Sequence, residues 1–192
     1  MRTATITRKT SETDINLTIT IDGSGKCQIQ TGIPFLDHML TLFAVHGHFD
    51  LELVSVGDID VDYHHSVEDI GICLGKAVKS ALGDCKGIRR FASGLIPMDE
   101  ALCQIAIDVC NRPTLVCQTH LPKSKVGTFD TELVEEFLNA FVNNVSIALH
   151  IDILRGDNMH HVIESIFKGL GVTLRDAIEI KGHHIPSTKG ML

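Results

Sequence analysis

Apolar and polar positions change rhythm along the chain. A two-residue period predicts strands near 3–8, 14–22 and 26–30, and a helical period then predicts a helix from Pro34 to about His46. A strand follows near 48–56, and a second helix from about Tyr63 to Leu82. A proline in the first turn loses no helical hydrogen bond, so Pro34 fits a helix start, with Thr31 upstream as the expected cap. On the second helix Val67, Ile70, Leu74, Ala77 or Val78, and Ala81 share a face and predict its buried stripe. Beyond Arg90 the rhythm returns: strands near 92–97, 100–109 and 113–119, a helix near 130–146, a strand near 148–154 and a helix near 159–180.

The order β-β-β-α-β-α therefore occurs twice, and a histidine motif repeats with it. DYHHSVEDIG (62–71) is matched by DNMHHVIESIFKG (157–169), and His64 and His160 stand 96 residues apart, half of 192. FLDHML (35–40) aligns with LVEEFL (133–138), which sets His38 opposite Glu136. The expected fold class is α+β, with two duplicated half-domains at 1–91 and 92–180 and a tail at 181–192. Each half is expected to be a sheet with helices on one face, and the halves to pack helix to helix about a pseudo-twofold. Such packing brings the two motifs together.

Composition excludes several classes. A chain of 192 residues that is 44% hydrophobic buries a proper core. Net charge is −7 and no basic run exceeds three residues, so nucleic acid is a poor partner. No apolar run reaches membrane-span length and MRTATITRKT lacks a signal-peptide core, so no membrane association and a cytoplasmic location are expected. Cys27, Cys73, Cys85, Cys103, Cys110 and Cys117 form no CxxC pair and read as buried thiols in a reducing compartment.

The repeated motif asks for metals. Successive helical residues point about 100° apart, so adjacent His64 and His65 cannot comfortably share one ion, and neither can His160 and His161. Glu68 lies within reach of either neighbour, and Glu164 likewise. With His38 and Glu136 from the preceding helices these make eight groups, enough for two four-ligand sites. Imidazole and carboxylate together suit Mn, Fe, Zn, Co or Ni, and four protein ligands on a six-coordinate ion leave two positions open for chemistry. The third pair, His183 and His184, precedes Pro186, which blocks a helix, and no carboxylate follows; it is expected to be a tail feature.

IPFLDHML (33–40), HGHFDLEL (46–53), DYHHSVEDIGICLG (62–75), FDTELVEEF (129–137), HHVIESIFKGLG (160–171) and IPSTKGML (185–192) follow one another in order. With these motifs the chain resembles, essentially end to end, the imidazoleglycerol-phosphate dehydratase family of histidine biosynthesis. The resemblance implies a ribosomal protein S5 domain 2-like fold and a monofunctional hydro-lyase that converts imidazole glycerol phosphate to imidazole acetol phosphate. It implies two manganese ions per active site, replaceable by other divalent ions, and an octahedral homo-oligomer of twenty-four subunits with active sites between them.

By position, the resemblance gives one ion His38, His65, Glu68 and His160, and the other His64, Glu136, His161 and Glu164. Some members carry histidine where this chain has Glu136. Binding of both ring nitrogens to cations would favour imidazolate, whose electrons expel the ring-adjacent hydroxyl through a diazafulvene-like intermediate. A proton then leaves the neighbouring carbon. Glu12 matches a substrate-contacting glutamate of the family and is the expected acid/base, with His46 the second candidate. Arg90, Arg112, Lys168, Ser187 and Lys189 match phosphate-binding positions. His48, His120 and His150 are expected to serve packing or surface. A different dinuclear enzyme, such as a hydrolase, would not need the ring as a ligand, and a metal-stapled structural protein would not need the basic tail.

Overall fold

The computed structural model describes residues 1–117 and 121–192, so His120 and the last two residues of the strand expected at 113–119 lie outside the described residues. The first half runs β1 (Thr3–Lys9), β2 (Thr13–Thr20), β3 (Cys27–Gln30), α1 (Pro34–Gly47), β4 (Asp50–Gly57) and α2 (His64–Leu82). The second runs β5 (Phe91–Met98), β6 (Ala101–Asp108), β7 (Thr114–Cys117), the short pair β8 (Lys125–Val126) and β9 (Phe129–Asp130), α3 (Leu133–Val145), β10 (Ala148–Arg155) and α4 (Met159–Ile178).

Both halves form four-stranded sheets of the same topology, β1-β2-β4-β3 and β5-β6-β10-β7. In each, the helix after the third strand crosses back to lay the next strand parallel beside it, β3 against β4 and β7 against β10. Alternation decides which face is covered. Ile15, Leu17 and Ile19 of β2 and Cys103, Ile105 and Ile107 of β6 are buried, and α2 and α4 pack over the corresponding strands. Burial pushes the Cys73 and Cys103 thiols up to about 11 and about 12, so they act as small apolar side chains.

The halves meet helix to helix, α1 on α4 and α2 on α3. Two glycines permit this closeness. A Cβ at Gly75 would stand 2.5 Å from the Phe141 carbonyl oxygen, and one at Gly171 would stand 2.4 Å from that of Phe43. Backbones thus approach closely where side chains would hold them apart.

Two local expectations are corrected. Thr31 does not cap α1: Ile33 occupies the cap position without a side-chain bond, and Thr31 instead donates its backbone N–H and its hydroxyl to the Asp37 carboxylate. The helix expected from 130 begins at Leu133, because 125–130 folds into the β8–β9 hairpin, whose Phe129 packs on Phe35 at 5.2 Å between ring centroids.

Candidate active site

The histidine pairs open α2 and α4, where free backbone N–H groups need acceptors. The His64 N–H donates to Asp62 Oδ1 at 2.8 Å and the His160 N–H to Asn158 Oδ1 at 3.0 Å. Within each pair the rings sit 6.2 Å apart, at interplanar angles of 89° and 77°. Neighbours therefore face different directions in both halves.

One direction leads to a cluster between the halves. His38 on α1 and His160 on α4 both turn Nε2 toward Glu164 Oε1, at 2.9 and 3.0 Å. Lys168, one turn further along α4, donates to Glu164 Oε2 at 2.6 Å. His160 and Glu164 meet because i and i+4 share a helix face; His38 meets them because α1 packs on α4. Burial opposes ionisation of Glu164, but the hydrogen bonds from Lys168 and His38 outweigh it and hold the carboxyl down to about 2. Among the described residues, His38, His160 and Glu164 form the group whose ligand atoms all lie within 4.8 Å of one another. His46, at the far end of α1, is pushed below the ordinary imidazole value by partial desolvation and by the Lys168 charge.

The other direction leads outward. The His65 Nδ1–H donates to Asp58 Oδ2 at 2.9 Å, and the His161 Nδ1–H donates to Glu100 Oε2 at 2.7 Å. The bond to Asp58 raises the His65 pKa, and the bond to Glu100 raises that of His161. Glu12, on the turn between β1 and β2, places Oε1 3.8 Å from His65 Nε2. Neither Asp58 nor Glu100 stands out in the sequence, since each is one acid in an acidic chain.

The donor set fits a divalent cation. Imidazole nitrogens and a carboxylate oxygen converge on one point, and the outward histidines carry the carboxylate-to-Nδ1 bond that metal-ligating imidazoles need for a fixed tautomer. Asp58 Oδ1 is also buried with no hydrogen-bond partner among the described residues, an unpaired carboxylate oxygen beside a candidate ligand.

His64 and Glu136 are half-buried and Glu68 is exposed, and no ion pair among the described residues joins the three. Glu164, grouped by the resemblance with His64, Glu136 and His161, lies within this chain beside His38 and His160. Arg90, Arg112, Ser187 and Lys189 line one cleft of about 320 Å³. The tail reaches that cleft because Arg90 Nη1 donates to the Pro186 carbonyl at 2.9 Å while the Arg90 guanidinium also grips Asp108. Lys168 stands apart from the cleft, on Glu164. His48 is exposed as the left-handed cap of α1, and His150, His183 and His184 are exposed.

The profile of the family described as imidazoleglycerol-phosphate dehydratase matches residues 31–174. Curated proteins of that name from Bacillus licheniformis and Bacillus subtilis are each 54% identical to the chain over 194 residues, and each comparison covers 100% of both sequences. Among solved structures, the imidazoleglycerol-phosphate dehydratase of Staphylococcus aureus superposes with a TM-score of 0.83 at 42% identity, covering 91% of this chain and 97% of that one. The enzyme of Pyrococcus furiosus gives 0.84 at 36% identity, covering 97% and 100%.

Proposed function

The chain belongs to the imidazoleglycerol-phosphate dehydratase family and is a hydro-lyase, and from that premise we propose that it dehydrates imidazole glycerol phosphate to imidazole acetol phosphate in histidine biosynthesis, using two manganese ions per active site. The observation that carries the metal reading is the meeting of His38, His160 and Glu164 across the two halves. Residues 1–91 and 92–180 are taken as the two repeats, with 181–192 as a tail belonging to the active site.

The same eight groups are proposed as ligands, with one exchange. Contacts within the chain favour Glu164 beside His38 and His160, and by the repeat they favour Glu68 beside His64 and Glu136. His65 and His161, facing outward, then complete the sets from neighbouring subunits, which supports sites between chains; the twenty-four-subunit assembly is proposed from the family resemblance. When bound, the divalent ions supply Lewis acidity that favours the deprotonated imidazole ring.

The chain's own residues perform the rest. The ring-adjacent hydroxyl would leave as water with the proton shed by the ring, through a diazafulvene-like intermediate. Glu12 takes the proton from the neighbouring carbon to give the enol and returns it to the ring-adjacent carbon, while the enol proton goes back to the ring as the ketone forms. His46 is the second candidate for the acid/base. Arg112, Ser187 and Lys189 hold the phosphate in the cleft, and Arg90 holds both the tail and the anion. Lys168 orients Glu164. The buried Cys73 and Cys103 thiols suit the reducing cytoplasm in which the reaction is placed.

The test is elemental analysis of purified protein combined with a dehydration assay before and after chelation. About two divalent ions per chain and activity that chelation abolishes and manganese restores are expected. Fewer than one ion per chain in active protein, or full activity after complete stripping, would sink the proposal.

A further inference from the structure

The two halves reach the same arrangement at the outward histidines from places that the repeat does not relate. Asp58 follows β4 in the first half, whereas Glu100 sits on the turn between β5 and β6 in the second. Strands β1 and β2 map onto β5 and β6 with a shift of 88 residues, Thr13 to Ala101 and Thr20 to Asp108. The counterpart of Glu100 is therefore Glu12. Two equivalent turns thus carry a glutamate beside an equivalent histidine, but with different contacts. Glu100 bonds His161 Nδ1 at 2.7 Å, and Glu12 stands 3.8 Å from His65 Nε2.

The difference follows from Asp58. Its carboxylate already holds His65 Nδ1 at 2.9 Å, and its backbone N–H donates to the Glu12 carbonyl oxygen at 3.1 Å. That second bond ties the Glu12 turn to the loop that carries the clamp. In the second half Glu100 does both jobs by itself: Oε2 accepts from His161, and Oε1 accepts from the Asn158 N–H at 2.9 Å, next to the start of α4. Carboxylate–imidazole pairs in which both groups keep a quarter or more of their surface in solvent contribute little to stability, so stability gives little reason for two unrelated positions to converge on the same ring nitrogen. Metal ligation does. An imidazole whose Nδ1 is clamped can offer only Nε2, in one ring orientation.

We propose that Asp58 and Glu100 are positioning residues that fix His65 and His161 by Nδ1 so that Nε2 faces a metal ion, and that Asp58 relieves Glu12 of this task and leaves it for proton transfer. The inference rests on the reading of His65 and His161 as ligands. It divides a repeated turn glutamate into two roles, one for substrate and one for metal.

The experiment is equilibrium binding of Mn2+ alone to the assembled, metal-stripped full chain, read from the electron paramagnetic resonance of free aquo ion, with thermal unfolding of the metal-free protein alongside. A glutamine at 100 offers one acceptor to two donors, so Glu100→Gln breaks one of the two bonds that the glutamate satisfies. Glu100→Gln is expected to weaken one of two ions about 10–100-fold, and Asp58→Asn the other by a similar factor. Glu12→Gln should leave both affinities within about threefold of wild type while abolishing turnover. Wild-type affinities for both ions in Glu100→Gln and Asp58→Asn, with only a lowered melting temperature, would overturn the positioning role. A loss of Mn2+ in Glu12→Gln as large as that in Glu100→Gln would overturn the division of tasks. Wild-type protein that takes up no Mn2+ would overturn the ligand reading beneath both.

Discussion

His38 Nε2 lies 2.9 Å from Glu164 Oε1, although 126 residues separate the two in the chain. His160 shares that oxygen and Lys168 holds the other, so all of the Glu164 carboxylate is committed. Glu164→Gln replaces one acceptor oxygen by an amide donor and leaves the half-buried Lys168 cation without its anion. The metal-free protein should lose about 1–3 kcal/mol, read by urea unfolding, and metal analysis should show one ion fewer per site. The sign with pH is fixed by the carboxyl being held down to about 2, below its ordinary 4.5. Its stabilisation is present above 4.5 and disappears as pH falls from there toward 2, so Glu164→Gln should flatten that part of the acid limb. An unchanged acid limb would contradict the ion pair.

Much of this was legible in the sequence. Strand and helix periods gave the order of elements, and the motif at His64 and His160 gave the pairing of halves. The rest was hidden because the repeat is not a constant step. The shift is 88 residues for the first two strands of each half, but 96 for the histidines, since the β8–β9 hairpin lengthens the second half. Aligning by histidines places Glu12 opposite Asp108, which is committed to Arg90, and so misses Glu100. Asp58 was illegible for another reason: which of Asp58, Asp60 and Asp62 faces a ring depends on a loop without periodicity.

Close approach of helices at Gly75 and Gly171 makes a second prediction. Alanine gains about 1 kcal/mol in helix propensity over glycine. Here its methyl would meet a backbone carbonyl at 2.5 or 2.4 Å, an obstacle that cannot rotate away. Each of Gly75→Ala and Gly171→Ala should therefore destabilise by about 1–3 kcal/mol net, measured by denaturant midpoint. Gly171→Ala should also weaken metal binding, because it separates α4 from α1 and so His160 from His38. Metal affinity unchanged in a folded Gly171→Ala protein would show that the cluster does not depend on that contact.

The tail offers a split between two cations of the same cleft. Lys189 is exposed with no ion partner among the described residues, whereas Arg90 is committed to Asp108 and to the Pro186 carbonyl. Lys189→Ala should raise KM about 10–100-fold, the loss of one charged hydrogen bond, with no change in melting temperature. Arg90→Ala should do the same to KM and also free the tail, seen as faster proteolysis near the C-terminus. Equal protease sensitivity in the two variants would mean that Arg90 does not anchor the tail.

Acidification should release metal from the outward histidines first. Their bonds to Asp58 and Glu100 raise the His65 and His161 pKa values above 6.5. Groups raised in this way stabilise the metal-free fold below 6.5, and the gain is lost as pH climbs through their folded values. Metal affinity runs the opposite way. An ion at Nε2 must displace the proton there, so Mn2+ binding should strengthen by up to about tenfold per pH unit for each such histidine until its folded pKa is passed, and then level off. Titrations at successive pH values should therefore show metal-free stability falling over the window in which affinity rises. Asp58→Asn should move the levelling point for one ion toward 6.5, because a neutral amide no longer favours the imidazolium, while lowering the plateau itself. A plateau that drops without moving would mean that Asp58 orients the His65 ring without shifting its proton, and a levelling point that moves without a drop would mean the reverse.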